Sequence, residues 1–390
     1  MEASGGLHGT LGEGVRVLEG VQVLEGVRVL CGIPTFNNAA TVGKVVTAVS
    51  EGLDRLGVKG GIAISDGRST DGTAARALGA GAGPRVPTAA ILYSGPPGKG
   101  SALRAVFGLA ERLGVRACAV FDADLRSITP VWVERLLGPA LDGKADLVTP
   151  LYSRDRADGT ITNAIACPLT AALYGVMVRQ PIGGDFGFSG ALAARWAAEP
   201  VWESDVARFG IDAWMTTTAI LWGSTVAQAP LGAKVHDPKD PGADLAPMFR
   251  QVVSTIFALA EAHEPAWRRV ERIERAPVIG DPADGRPEAV RIDPDAMERR
   301  ARGALRAATG AFPGLSERIE RALGVPVDVD QSLWVDAVVA AMRAPDRRAA
   351  VDGLFPLYLG RTTTFLRSER SADDEVEVLA AMFLAAKAGA

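Results

Sequence analysis

Positive charge is not in excess in this 390-residue chain: 42 Lys and Arg stand against 46 Asp and Glu, a net charge of −4 with histidine neutral. A generic binder of nucleic acid or of anionic membrane needs surplus basic side chains facing phosphates, so those partners are excluded. Cysteine is scarce. Cys31, Cys118 and Cys167 sit in apolar stretches without CxxC spacing, which excludes a disulfide framework and a structural zinc site and fits reduced thiols in a cytoplasmic protein. No long apolar run is present either: residues 164–178 are interrupted by Pro168 and fall short of the roughly 20 needed to cross a bilayer, so a buried helix and no transmembrane segment are expected there. The Gly-rich start, Met1 to Glu13, lacks the basic region and apolar run of a signal peptide, so the protein is expected to stay in the cytoplasm.

What is present is ordinary globular material, 48% hydrophobic and 23% charged, enough for a large core without metal or disulfide support. Three hexapeptides follow one another from Gly14 (GVRVLE, GVQVLE, GVRVLC), too few copies for a solenoid. Residues 1–26 are expected to be a disordered extension, with the last copy alone forming the first core strand, 27–33. Short β-branched runs at 27–33, 61–65, 89–93, 117–121 and 146–151 then alternate with helical periodicity at 39–56, 70–78, 99–113 and 129–137. That alternation predicts an α/β fold, a mostly parallel sheet with helices on both faces, whose ligands bind beyond the carboxyl ends of the strands. A turn-rich break begins at Asp237, and helices are predicted at 245–275, 297–323, 332–342, 347–367 and 374–387, with a Pro/Asp/Gly linker at 276–294. The expected domains are 27–240, catalytic, and 241–390, helical.

The strand-end loops hold the unusual residues. Ile64-Ser-Asp66-Gly is followed by a Thr70-Asp71-Gly-Thr73 helix start, which capping alone explains. Pro96-Pro-Gly98-Lys99-Gly100 delivers a lysine to a helix N-terminus, where backbone N–H groups favour an anion, but it is no Walker loop. Phe121-Asp122-Ala123-Asp124 follows an apolar strand directly. Two carboxylates so close repel, and their natural use is a shared divalent cation, the alternative being two solvated loop acids. Arg154, Asp158 and Thr162 are spaced by four and share one face if the segment is helical, with Asp158 or Thr160 as an alternative N-cap. Asp185 in Gly183-Gly184-Asp185 and Asp212 in Phe209-Gly-Ile-Asp each stand beside glycine, where a ligand can approach the backbone. Of three histidines, His236 alone lies just past a strand-like run, at 224–229.

Taken in order, Ile33-Pro34-Thr35-Phe-Asn-Asn, Ser65-Asp66-Gly, Pro97-Gly98-Lys99-Gly and Asp122-Ala-Asp124 resemble the GT-A class of nucleotide-sugar glycosyltransferases. Together with Arg154-x3-Asp158-x3-Thr162, Gln180-Pro-Ile-Gly-Gly-Asp185, Phe209-Gly-Ile-Asp212 and Lys234-Val-His236, they look like the motif series of mannosylglycerate synthases, which the glucosyl-3-phosphoglycerate synthases partly share. The resemblance spans about residues 27–260 and implies a GT-A, Rossmann-like fold with a C-terminal helical region. It implies a donor (GDP-mannose, GDP-glucose or UDP-glucose) held by Pro34, Thr35, Asp66, Gly98, Lys99, Asp122, Ala123, Gly184 and Asp185. A divalent cation, Mg or Mn, would be bound by Asp124, His236 and Asp122, and a small carboxylate acceptor such as D-glycerate by Arg154, Asp158 and Thr162. Asp212, the Ile182 carbonyl and Lys99 are the implied catalytic groups, with retained configuration. Two departures stand out: Asp185 replaces the family's glutamate, and the Pro-Thr-Phe-Asn-Asn loop is closer to the wider class and the phosphoglycerate enzymes. Inversion with Asp212 as base, a phosphorylated acceptor held by Arg156 and Arg179, and a homo-oligomer all stay open. A sugar nucleotidylyltransferase would need a Gly-rich basic loop after its first strand, and a non-catalytic binder would lack a full metal set.

Overall fold

The computed structural model describes residues 15–17, 21–80, 85–93, 95–236, 245–290, 293–308 and 310–388. Its strands are β1 (Val15–Val17), β2 (Val29–Thr35), β3 (Gly60–Asp66), β4 (Thr88–Tyr93), β5 (Ala117–Val120), β6 (Leu147–Ser153), β7 (Val176–Met177), β8 (Phe186–Ser189), β9 (Val226–Ala233) and β10 (Glu274–Arg275). The first nine helices are α1 (Val42–Leu56), α2 (Thr73–Ala80), α3 (Lys99–Leu113), α4 (Pro130–Leu141), α5 (Cys167–Tyr174), α6 (Gly190–Ala197), α7 (Ile211–Leu221), α8 (Ala246–Ala262) and α9 (Glu264–Trp267). Then come α10 (Pro294–Ala308), α11 (Ser316–Ala322), α12 (Gln331–Met342), α13 (Arg347–Arg367) and α14 (Ala372–Ala388). Two compact units form, Met1–Lys144 with Asp185–Arg208, and Ala145–Gly184 with Phe209–Ala390.

In the first unit the strands run in the order β1-β4-β3-β2-β5-β8. β4, β3, β2 and β5 pair in parallel, while β1 runs antiparallel to β4 and β8 antiparallel to β5. β2 and β3 are apolar along nearly their whole length because parallel strands are covered on both faces. α1 buries Val42, Val45, Val46, Val49 and Leu53, one helical stripe, and stops at Gly57, whose φ of 63° suits glycine. α1 packs with α2 and α4, and α3 packs with α6. Phe107, Phe188 and Trp196 meet in edge and tilted contacts between 5.1 and 5.6 Å, locking α3 to β8 and α6.

The second unit pairs β6 with β9 and β7 with β10, both parallel. One apolar core joins Ile165, Leu169 and Ala213 to Phe249, Trp334, Leu354 and Phe383. That core corrects the expected division at residue 240, since 145–184 and 209–236 bury their apolar faces against the C-terminal helices. The break at 237–242 and residues 1–14 and 18–20 of the extension lie outside the described residues. Residues 21–26 are not disordered: Val21–Leu24 make a 3₁₀ turn with both end residues buried. The long helix expected over 245–275 ends at Ala262, ahead of Pro265, and that over 297–323 is split around Pro313. Residues 164–178 are a π-helical turn (Thr162–Ala166), α5 and β7 rather than one helix. Among the described residues no helix is long and apolar enough to cross a membrane.

Arg361 and Glu375 are buried together in the helical part. Arg361 Nε donates to Glu375 Oε1 at 3.0 Å and Nη1 to the Val329 carbonyl at 2.8 Å, while Gln331 Nε2 donates to Glu375 Oε2 at 3.2 Å. Glu375→Ala strands a desolvated guanidinium and is expected to lower stability by about 3–5 kcal/mol. Denaturant unfolding followed by circular dichroism checks this, and the double variant Arg361→Met/Glu375→Leu is expected to recover much of the loss.

Candidate functional site

The chain runs outward from β2 to β3 and β4 through α1 and α2, and α3 then returns it to β5 on the other side of β2. The direction of winding therefore changes between β2 and β5, and a crevice opens beyond their carboxyl ends. β2 ends at Thr35, β3 at Asp66, and Asp122-Ala123-Asp124 follows β5. The sequence candidates of the first unit thus stand at one end of one sheet.

Asp66 is buried and its carboxylate organises its own turn, accepting from Thr35 Oγ1 at 2.8 Å, Ser69 N at 2.8 Å and Ser69 Oγ at 2.6 Å. Asn37, at φ 55°, donates its N–H to Ser69 Oγ and accepts from Thr70 N, stitching the loop after Pro34 and Thr35 to the loop after β3. Asp71, not Thr70, caps α2 through Thr73 N; hydrogen bonds from the Thr73 hydroxyl and from Ala39 N hold its carboxyl below the usual range.

Lys99 opens α3, and its Nζ lies 2.9 Å from Asp122 Oδ1. Two glycines let this turn press onto the backbone below it. A Cβ on Gly100 would lie 1.8 Å from the Val206 carbonyl oxygen and one on Gly98 2.5 Å from that of Ala207, while Gly100 N donates to the Arg208 carbonyl at 3.1 Å. Asp122 is fixed from behind: its N–H donates to Asp185 Oδ1 at 2.8 Å, and Asp185 is wholly buried. Thr41 Oγ1 donates to the Ala123 carbonyl at 2.7 Å, and Asp124 is partly exposed. Two hard carboxylates, one already turned on a cation, fit Mg²⁺ or Mn²⁺. Among the described residues no three His, Cys, Asp or Glu side chains form a group that could hold a metal ion.

The second unit holds the other candidates. Residues 154–159 do not meet the condition of being helical: β6 continues to Ser153, and Gly159 turns at φ 65°. The expected face forms all the same through a turn in which Asp158 N donates to the Asp155 carbonyl at 2.9 Å. Arg154 Nη1 meets Asp158 Oδ2 at 2.7 Å, and its Nε donates to Gln180 Oε1 at 3.3 Å over the Tyr152 ring. A Cβ on Gly159 would lie 3.4 Å from Arg154 Cδ and 3.9 Å from Thr162 Oγ1, so these three positions are neighbours. His236 Nε2 is 3.9 Å from Asp158 Oδ1. Burial acts to raise the Asp158 pKa, but the charges of Arg154 and His236 and hydrogen bonds from Arg154 and Gly159 outweigh it and hold the carboxyl below its usual range.

The Pro181–Gly184 segment, which carries the Ile182 carbonyl, is braced on both sides. Thr216 Oγ1 donates to the Pro181 carbonyl at 2.9 Å and the buried Lys234 Nζ to that of Gly183 at 2.8 Å. Gly183 leaves room for Pro150, and Gly184 takes φ 92°. Asp212 is buried in the first turn of α7, where the helix dipole favours a carboxylate. Thr41, Lys234 as a brace, and the bond from Asp122 N to Asp185 escaped the sequence; only Lys234, inside the motif before His236, carried a signal. Arg156 Nη2 is bonded to main-chain carbonyls of residues 365–370 and Arg179 Nε to Asp373 at 2.6 Å, and both residues line the same cavity as Arg154.

No protein-family model matches the sequence, and no curated protein does. Solved structures do. A glucosyl-3-phosphoglycerate synthase from Mycobacterium tuberculosis, in complex with Mn²⁺, UDP-glucose and phosphoglyceric acid, is 26% identical over 65% of this chain and 85% of its own, with a TM-score of 0.50. The same enzyme with Mg²⁺ and UDP is 27% identical over 63% and 85%, also with a TM-score of 0.50. The fold is GT-A, similar to that of those glycosyltransferases. Gly100→Ala drives a Cβ into the Val206 carbonyl and is expected to cost about 1–3 kcal/mol, read as a lowered thermal midpoint.

Proposed function

We propose that this chain is a metal-dependent, retaining hexosyltransferase that moves glucose or mannose from a nucleoside-diphosphate sugar to a small hydroxy acid of the glycerate type. What carries this function is the end of β5, where Asp122 faces Lys99 at 2.9 Å and is tied from behind to buried Asp185. Breaking a sugar–phosphate bond leaves positive charge on the anomeric carbon and negative charge on the departing diphosphate. Asp124 and Asp122 would hold the cation, which when bound would neutralise charge on the diphosphate. Lys99 at the start of α3 adds fixed positive charge and a helix N-terminus for the same phosphates.

Arg154, held by Asp158, Gln180 and Tyr152, presents its guanidinium in one orientation to the acceptor carboxylate. The acceptor hydroxyl oxygen bonds to the anomeric carbon on the face that the diphosphate leaves, the carbon–oxygen bond to the diphosphate breaks, and the proton passes to the departing phosphate oxygen. The braced Ile182 carbonyl and buried Asp212 would face the developing positive charge. The motif series that resembles the mannosylglycerate synthases makes glycerate itself the first reading. The phosphoglyceric acid bound by the structural relatives makes 3-phosphoglycerate the second reading.

A panel of GDP-mannose, GDP-glucose and UDP-glucose against glycerate, 3-phosphoglycerate and glycolate, with the anomeric product read by NMR, tests the proposal. Transfer with an α-linked product is expected, and no product from any pair defeats it. Chelation is expected to abolish turnover, Mg²⁺ or Mn²⁺ to restore it, and Asp124→Asn to lower kcat about 10²-fold or more. Lys99→Gln is expected to weaken nucleoside-diphosphate binding about tenfold or more in calorimetry while leaving the far-UV spectrum unchanged.

A further inference from the structure

Because the loop carrying Arg154 and Asp158 has no helical ladder of its own, something outside it must set where those side chains point. Arg156, midway between them, reaches the end of α13. Its Nη2 donates to the carbonyls of Phe365 at 2.9 Å, Ser368 at 2.8 Å and Arg370 at 3.1 Å, and its Cζ lies 4.8 Å from the Phe365 ring centroid. A helix leaves its last carbonyls unpaired and carries partial negative charge there, so the guanidinium acts as a cap supplied from some 210 residues away. Within the loop, Ala157 N donates to Asp155 Oδ1 and Asp158 N to the Asp155 carbonyl, both at 2.9 Å, so a shift of Arg156 moves Asp158 with it. Two further struts run the same way: Thr160 Oγ1 and Tyr358 Oη lie 2.5 Å apart, and Trp334 Nε1 donates to the Ala164 carbonyl at 2.7 Å. A cavity of about 640 Å³ is lined by Arg154, Thr162 and Gln180 on one side and by Arg370 and Asp373 on the other.

We infer that the C-terminal helices set acceptor recognition, and that Arg156 is the positioning residue through which they do so. This rests on Arg154, Asp158 and Thr162 being the acceptor residues. Arg156→Met keeps the stem over Phe365 and removes the three bonds. It is expected to raise acceptor KM roughly tenfold to hundredfold with donor KM and metal requirement unchanged. Arg156→Lys is expected to recover part of that loss, and Tyr358→Phe, which cuts the second strut, to raise acceptor KM severalfold. Hydrogen exchange needs no knowledge of the acceptor: in Arg156→Met the amides of 155–160 are expected to lose protection while those of β2 and β5 keep theirs. If the methionine variant does not fold, the lysine and phenylalanine variants decide by the same two measurements. Unchanged loop protection overturns the inference, as do an unchanged acceptor KM in the folded variants or donor and acceptor KM rising together. A wild-type enzyme that uses no acceptor of the panel defeats the function proposed above, while loop protection still decides the coupling.

Discussion

A carboxylate at the end of a buried strand has to be met by positive charge or hydrogen-bond donors, and the first unit is organised around that requirement. Asp185, without solvent, takes the Asp122 N–H, and Asp122 takes the Lys99 ammonium. Lys99 reaches it because Gly98 and Gly100 let the start of α3 rest on the backbone of residues 206–208. In these bonds main-chain placement and side-chain charge are not separable. In the function proposed above, the contacts that settle the fold at the sheet end would also place the groups that receive a phosphate and its counter-ion.

The second unit meets a different constraint. Its acceptor candidates lie on a loop, and loops position side chains poorly unless other elements hold them. Here a strand end, a left-handed glycine and the far end of α13 together hold the loop without a helix. The helical region is therefore part of the site's support, which its solvated-looking charge pattern in the sequence gives no reason to expect.

Strands β2 to β6 and helices α3 and α13 were legible because local chemistry marks their limits: β-branched runs for the strands, Gly98 and Gly114 around α3. The acidic pair after β5 was legible for the same reason, as a breach of an apolar run. What stayed hidden was long-range. Asp185 lies 63 residues from Asp122 and Arg156 more than 200 from its carbonyls, and no spacing rule connects such pairs. The helix over 245–275 failed on Pro265, a visible breaker outweighed by apolar periodicity, and the domain boundary failed because a composition change was taken for a change of core. Asp158, set on one face with Arg154 by their spacing only if the segment is helical, meets it through a turn instead.

The π-helical turn at Thr162–Ala166 closes its hydrogen-bonded ring over one more residue than an α-helix does, with Cys167 N donating to the Thr162 carbonyl. Such a turn stores one surplus residue. Removing it would let the segment relax into regular α-helix, and at 3.6 residues per turn everything before it would swing by about 100° around the axis. The number of residues in this turn thus sets the angle at which the neighbouring loop leaves the helix, independently of the sheet.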